Sequence, residues 1–363
     1  MSLPTCVVHL TTVAGSVQAS ARVAAFLAGE LKLPLVDSLE SLRAFVAGHP
    51  PKDERHASYD VIMVNGPIAF CGIRDQLGTE LLKHTRRLVW VQQDYTITPP
   101  PHHSTSKPTK AETPFRYWYH SIPEVALWTT CQDWLSKRDP HLECKFGDTY
   151  INWNALTYAP FKPGVGDKPI QKRLCYYGAL REDRVGSLGR LLNGVDVDIS
   201  VSRPTNVLVD RWRAVVPTGN VGPAYTGPGA WRCAPWKPTN GNKYGVQPLI
   251  THIADYAASI YVADRASDKA YHSLANRFYE VLSTPYTLLL LDEYGTETYK
   301  RAGLDDWAGY VVSDAEDVNH FLSLKPAKLL AMAAEQRAAW FDKDPYKHLR
   351  TRLLAVYKTW STK

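Results

Sequence analysis

A pattern that stops and starts again constrains this chain most. Short apolar runs rich in β-branched residues fall at 6–10, 59–65 and 87–92, between stretches of helical composition at 17–33 and 39–47. A Pro- and Gly-containing segment interrupts at 158–172, and the alternation then resumes. Strands are expected at 173–178, 195–201, 258–263, 286–291 and 311–314, and helices at 184–192, 248–256, 273–280, 315–324, 328–343 and 345–360. A strand that returns to its sheet through a helix runs parallel to its neighbour, so the pattern predicts two α/β halves. At 363 residues the chain also exceeds what one ordinary core organises. Two such halves joined by a Pro-rich hinge predict a ligand cleft at the C-terminal ends of their strands. Two stretches, 96–114 and 217–248, read as long loops, a length that usually marks lids or binding segments.

Composition removes several classes. Apolar content of 45% and charged content of 21% describe a globular chain with a core, not a disordered one. No apolar run approaches the roughly 20 residues that cross a bilayer, so no membrane partner is expected. The first residues lack the basic-then-apolar plan of a signal peptide. Cys6, Cys71, Cys131, Cys144, Cys175 and Cys233 form no Cys-x-x-Cys pair. They read as free thiols in a reducing compartment, and a cytoplasmic location is expected. The net charge of +6 is mild, and residues 331–363 carry much of it, which permits a polyanionic partner without requiring one.

Four groups of residues could carry chemistry. Arg277 and Glu280 lie three apart and share a helical face, so a cation for phosphate and an acceptor for a ribose hydroxyl would sit side by side. The alternative is an ion pair on a solvated helix. The run Tyr176-Tyr-Gly178, with Arg181 and Arg184 behind it, ends a strand and opens a helix. Such a turn lets backbone approach a pyrophosphate at the positive end of a helix, though ordinary surface arginines fit the pattern equally. Asp94 directly follows the strand at 87–92, where it could accept a proton from a hydroxyl or cap a turn. His102, His103, Lys107, Lys110 and Arg116 interleave with Trp118 and its aromatic neighbours, a mixture that suits phosphate contact and base stacking or a solvated loop. Gly15 offers backbone room in the first strand-to-helix turn. Asp196 and Asp198 alternate within a strand, which explains them better than a metal site does.

Together these residues resemble the two-domain glycosyltransferases of the GT-B fold, and among them the tailed-phage DNA glucosyltransferases that modify 5-hydroxymethylpyrimidines. The resemblance implies an acceptor-binding domain over 1–165, a nucleotide-sugar domain over 173–335, and a terminal segment, 336–363, packing back on the first. It implies that Gly178, Arg181 and Arg184 hold the diphosphate of a UDP-sugar, with Gly15 also on the donor side. Arg277 and Glu280 would take phosphate and ribose, and Val246 would face the uracil. Asp94 would be the base that deprotonates the hydroxymethyl group, giving inversion, and the stretch 102–118 would meet DNA. The sugar expected is glucose, and the expected partners are a UDP-sugar and double-stranded DNA carrying hydroxymethylated pyrimidines, with the protein a monomer. No metal is required in this scheme. His272 stands where many retaining relatives of the fold carry an acid, so only half of their motif is present. Three competitors remain open at this point: a transferase with a saccharide, lipid-linked or small-molecule acceptor, an inactive nucleic-acid-binding relative, and a nucleotide-sugar epimerase.

Overall fold

The computed structural model describes residues 3–9, 19–51, 57–64, 81, 83–92, 124–129, 146–151, 153, 171–178, 180–201, 205–223, 253–263, 274–341 and 345–362. The chain divides into two compact units, one of residues 1–157 with 348–363 and one of residues 158–347. Among the described residues, each is built on its own sheet of six parallel strands.

In the first unit the elements run β1 (Thr5–Val8), α1 (Ala19–Leu31), β2 (Leu35–Val36), α2 (Leu39–Gly48), β3 (Tyr59–Val64), β4 (Thr85–Gln92), β5 (Glu124–Thr129) and β6 (Phe146–Tyr150). Their order across the sheet is β2-β1-β3-β4-β5-β6. Every residue of β3 is buried, as expected of a parallel strand covered on both faces. Helix α2 starts where Ser38 accepts from the Ser41 backbone while the Ser41 hydroxyl reaches back to the Ser38 N–H, a reciprocal cap that satisfies two orphan donors.

The second unit continues with β7 (Gln171–Tyr177), α3 (Glu182–Leu192), β8 (Val197–Val201), α4 (Asn206–Val215), β9 (Asn220–Pro223), β10 (Tyr256–Tyr261), α5 (Asn276–Ser283), β11 (Leu288–Asp292), α6 (Thr296–Arg301), β12 (Val311–Val312), α7 (Ala315–Ser323) and α8 (Pro326–Phe341). The order is β12-β11-β10-β7-β8-β9. Chain progress therefore reverses direction between β7 and β10, the point at which parallel α/β sheets present ligand sites. The core packs Leu174, Tyr176, Leu188, Ile199, Trp212, Ile260 and Leu290 between that sheet and its helices. Strand β12 is too short to pair with the middle of β11, and a side chain completes the ladder there. Gln336 of α8 accepts from the Leu289 N–H at 2.9 Å and donates to the Leu289 carbonyl at 2.8 Å, at 1% exposure.

The last helix, α9 (Pro345–Thr362), is fastened to the first unit. Asp60, at 1% exposure, takes Nε and Nη2 of both Arg86 and Arg87 at 2.6–3.2 Å. Arg87 also donates Nη1 to the Trp360 carbonyl, and its guanidinium lies 4.9 Å over the Trp360 ring. Trp360 in turn packs edge-on against Trp128, which stacks on Trp153. One turn into the helix, Arg350 Nε donates to Glu30 of α1 at 2.7 Å. These contacts satisfy the carbonyl at a helix end that water would otherwise have to serve.

Several expectations need correction. The stretch 248–256 was expected to be helical to its end, yet Tyr256 is the first residue of β10, and Ile253 is the last helical position before it. Residues 220–223 fall within the long loop expected over 217–248 but form β9; Gly and Pro disfavour a strand interior and are tolerated at a sheet edge, where β8 supplies the pairing. Strands β5 and β6 and helix α4 were not expected at all. Helix α5 runs 276–283 instead of 273–280, because the phenol of Tyr261 accepts from the Ala275 N–H at 3.0 Å and holds Ala275 extended outside the helix.

Candidate functional site

Of the residues singled out by sequence, Gly178, Arg181, Arg184, Arg277 and Glu280 are described. Gly15, Asp94, His102, His103, Lys107, Lys110, Arg116, Trp118, Val246 and His272 lie outside the described residues.

The strand order fixes where the described five can meet. From β7 the sheet grows one way through α3, and from β10 it grows the other way through α5. Right-handed crossovers therefore set α3 and α5 on opposite faces, and only at the C-terminal end of β7 can residues from both come together. Gly178 is that end. Its φ of +145° is a conformation that a side chain resists, and a Cβ built there would lie 2.8 Å from Cζ of Arg277. The bare backbone there leaves the space beside it to the guanidinium of Arg277.

Arg277 and Glu280 sit on the side of α5 away from its packing face. Phe278, Val281 and Leu282 are buried, with Phe278 among Tyr261, Trp307 and Trp340. The two charged residues do not pair with each other, which removes the reading of a simple ion pair on a solvated helix. Arg277 Nη1 donates to the Tyr176 phenol at 3.0 Å, and the guanidinium lies 5.4 and 5.9 Å from the Tyr176 and Tyr177 ring centres. Among the described residues it has no carboxylate partner, and this is its one hydrogen bond of the five it can donate. Burial works against its charge, but the phenols of Tyr176, Tyr177 and Tyr261 outweigh that and hold its pKa above the usual arginine value. Glu280 is held separately: the Tyr177 hydroxyl donates to its Oε2 at 3.0 Å and lies 3.4 Å from the Arg277 carbonyl.

Three residues beyond Gly178, Arg181 occupies the N-cap position of α3 with extended backbone and an exposed side chain. Arg184 is one turn in and buried. The end of β7 thus carries a left-handed glycine, a helix N-terminus, a guanidinium with donors to spare and a separately held carboxylate. Such a set has the chemistry to accept a phosphate and, beside it, to bond hydroxyls.

The two tyrosines went unassigned by sequence reasoning. Their signal was an aromatic doublet directly before a strand-ending glycine, which reads as core until the partner helix is placed. Asp198 lies within β8 and Asp196 directly precedes it, so the strand expected from residue 195 begins two residues later. Arg173 bridges the two aspartates at 2.8 Å each, and Asp198 also accepts from Asn220 and Tyr256 at 2.9 Å. Among the described residues no cluster of three or more His, Cys, Asp or Glu side chains could hold a metal, and no helix is long and apolar enough to cross a membrane.

The two parallel sheets and the site at the sheet's reversal define an α/β protein of the GT-B fold. The chain is similar over nearly its whole length to solved structures of T4 phage β-glucosyltransferase. With the complex of that enzyme and UDP-glucose it shares 12% identity at a TM-score of 0.55, covering 96% of this chain and 98% of that one. With the complex holding UDP and Mn2+ it shares 12% at 0.52, covering 95% and 99%. With a structure of the DNA-modifying enzyme β-glucosyltransferase in the presence and absence of uridine diphosphoglucose the values are 12% and 0.51, covering 95% and 99%. No family model and no curated protein matches the sequence.

Proposed function

We propose that the protein is a UDP-sugar-dependent glycosyltransferase that moves a sugar, glucose in the simplest reading, onto the hydroxymethyl group of a modified pyrimidine in DNA. One observation carries this most: Arg277, without a carboxylate partner among the described residues, is seated against Gly178 at the reversal point of a sheet whose fold matches structures holding UDP and UDP-glucose. Residues 173–335 form the donor-binding part and residues 1–165 the acceptor part.

In this scheme Arg181, Arg184 and Arg277 neutralise the diphosphate as it departs, which is where preorganised cations contribute most. Glu280 accepts from ribose hydroxyls, Val246 faces the uracil, and Gly15 gives backbone room on the donor side. Asp94 takes the proton of the hydroxymethyl group, whose oxygen attacks the anomeric carbon while the bond to UDP breaks, inverting that centre. The pyrimidine leaves the base stack to reach the site, with His102, His103, Lys107, Lys110, Arg116 and Trp118 against the displaced DNA. The protein acts as a monomer in the cytoplasm, and no step needs a metal.

Mass spectrometry of hydroxymethylpyrimidine DNA after incubation with a panel of UDP-sugars tests the proposal. A hexose mass added to modified DNA and absent from unmodified DNA is expected. Turnover of the UDP-sugar without DNA labelling would move the reaction to another acceptor. No turnover with any UDP-sugar would remove the transferase reading.

A further inference from the structure

Adjacent residues of a strand face opposite sides of its sheet, so Tyr176 and Tyr177 present their phenols on either face of β7. Tyr176 lies in the core with Trp212 of α4, 5.5 Å between ring centres. Tyr177 lies on the α5 side. Arg277, which starts from α5, reaches past the bare backbone of Gly178 to the Tyr176 phenol. Glu280, one turn along the same helix, stays on its own side against the Tyr177 hydroxyl.

Left alone, an arginine and a glutamate three apart on a helix close on each other, and both are then occupied before any ligand arrives. We infer that Tyr177 is a positioning residue: its hydroxyl holds Glu280 away from Arg277 and aims the carboxylate at the ribose hydroxyls of a nucleoside diphosphate. This rests on the reading that Glu280 accepts from ribose. The second contact of the same hydroxyl, 3.4 Å from the Arg277 carbonyl, ties the phenol to the helix that carries both charged groups. Tyr176 serves the other member of the pair, and its effect is confined to phosphate.

The inference separates two ligands that differ only in the ribose, UDP and 2′,3′-dideoxy-UDP, titrated calorimetrically into the full-length protein and its Tyr177→Phe variant. The phenylalanine keeps the ring in its packing and deletes the hydroxyl. Wild type is expected to prefer UDP, and Tyr177→Phe to lose about tenfold of that preference, a hydrogen bond to a charged group, with dideoxy-UDP affinity unchanged. In a Glu280→Ala background, where the hydroxyl has no side chain to hold, the same change is expected to have no further effect on UDP. Tyr176→Phe, in contrast, should weaken both ligands equally. If wild type prefers UDP but Tyr177→Phe weakens both ligands alike, or neither, the positioning role is overturned while the ribose reading stands. If wild type does not distinguish the two ligands, the ribose reading itself fails and the inference falls with it. Should Tyr177→Phe not fold, Glu280→Asp, which draws the carboxylate back from the same hydroxyl, is expected to lose the same preference; unchanged discrimination there overturns the inference.

Discussion

At Gly178 a single methyl group sets two requirements against each other. A Cβ would meet the Arg277 guanidinium at 2.8 Å, and the far end of an arginine can move aside, so Gly178→Ala should still fold. The φ of +145° adds strain of about 1–3 kcal/mol. The displaced guanidinium should cost as much UDP affinity as Arg277→Ala, roughly 10- to 100-fold for a charge-assisted contact to phosphate. Calorimetry on both single variants and the double variant checks this: the double should bind no worse than Arg277→Ala alone. Arg277→Lys should not restore binding, because an ammonium lacks the planar fork and cannot stack over Tyr176 and Tyr177 in the same way. Burial first, and then Asp198, push the Cys175 pKa up to about 12, and burial alone raises Cys6. Neither thiol should react with iodoacetamide in the native protein at neutral pH, and both should react once it is unfolded, as read by mass spectrometry.

Gln336 stands in for a strand beside β11, so Gln336→Leu leaves the N–H and carbonyl of Leu289 without partners inside the core. A loss of about 2–4 kcal/mol in denaturant unfolding is expected, from two buried polar groups unmet. Strands β1, β3, β4, β7, β8, β10 and β11 and helices α1, α2, α3, α5, α7, α8 and α9 were legible in the sequence because their signals are local. Strand β11 is a run of leucines closed by Asp292, and β3 is buried throughout, so apolar content alone marks them. Strand β9 was illegible because Asn220, Gly222 and Pro223 have poor strand propensity, and only the neighbouring edge of β8 makes them one. The site divides the same way. Arg277, Glu280 and Gly178 could be picked out by spacing and by the turn after a strand. The roles of Tyr176 and Tyr177 depend on α3 and α5 lying on opposite faces, a property of strand order that no local window contains.

Across the whole molecule, charge is organised away from the site as well as in it. Glu293, just past β11, is held below the ordinary glutamate range by its hydrogen bonds with Ser313 and Arg190. A carboxylate with a lowered folded pKa adds stability that is complete above its unfolded value and is lost as pH falls through the folded value. Thermal unfolding below the ordinary glutamate range should therefore show a shallower acid loss in Glu293→Gln than in wild type. The Asp60 cluster acts on a larger scale. Truncating Asp60 to Ala strands the buried Arg87 and should cost about 3–5 kcal/mol, and it should loosen the end of α9 as read by hydrogen exchange near Trp360.

The placement of Trp360 also imposes an order of events during synthesis. Residues 1–157 emerge from the ribosome first, yet the indole that covers Trp128 and the carbonyl that Arg87 grips arrive some two hundred positions later. The leading half of the polypeptide must wait, incompletely packed around Trp128 and Arg87, while the stretch 158–347 is made. The later-born half can therefore reach its final form before the earlier one does.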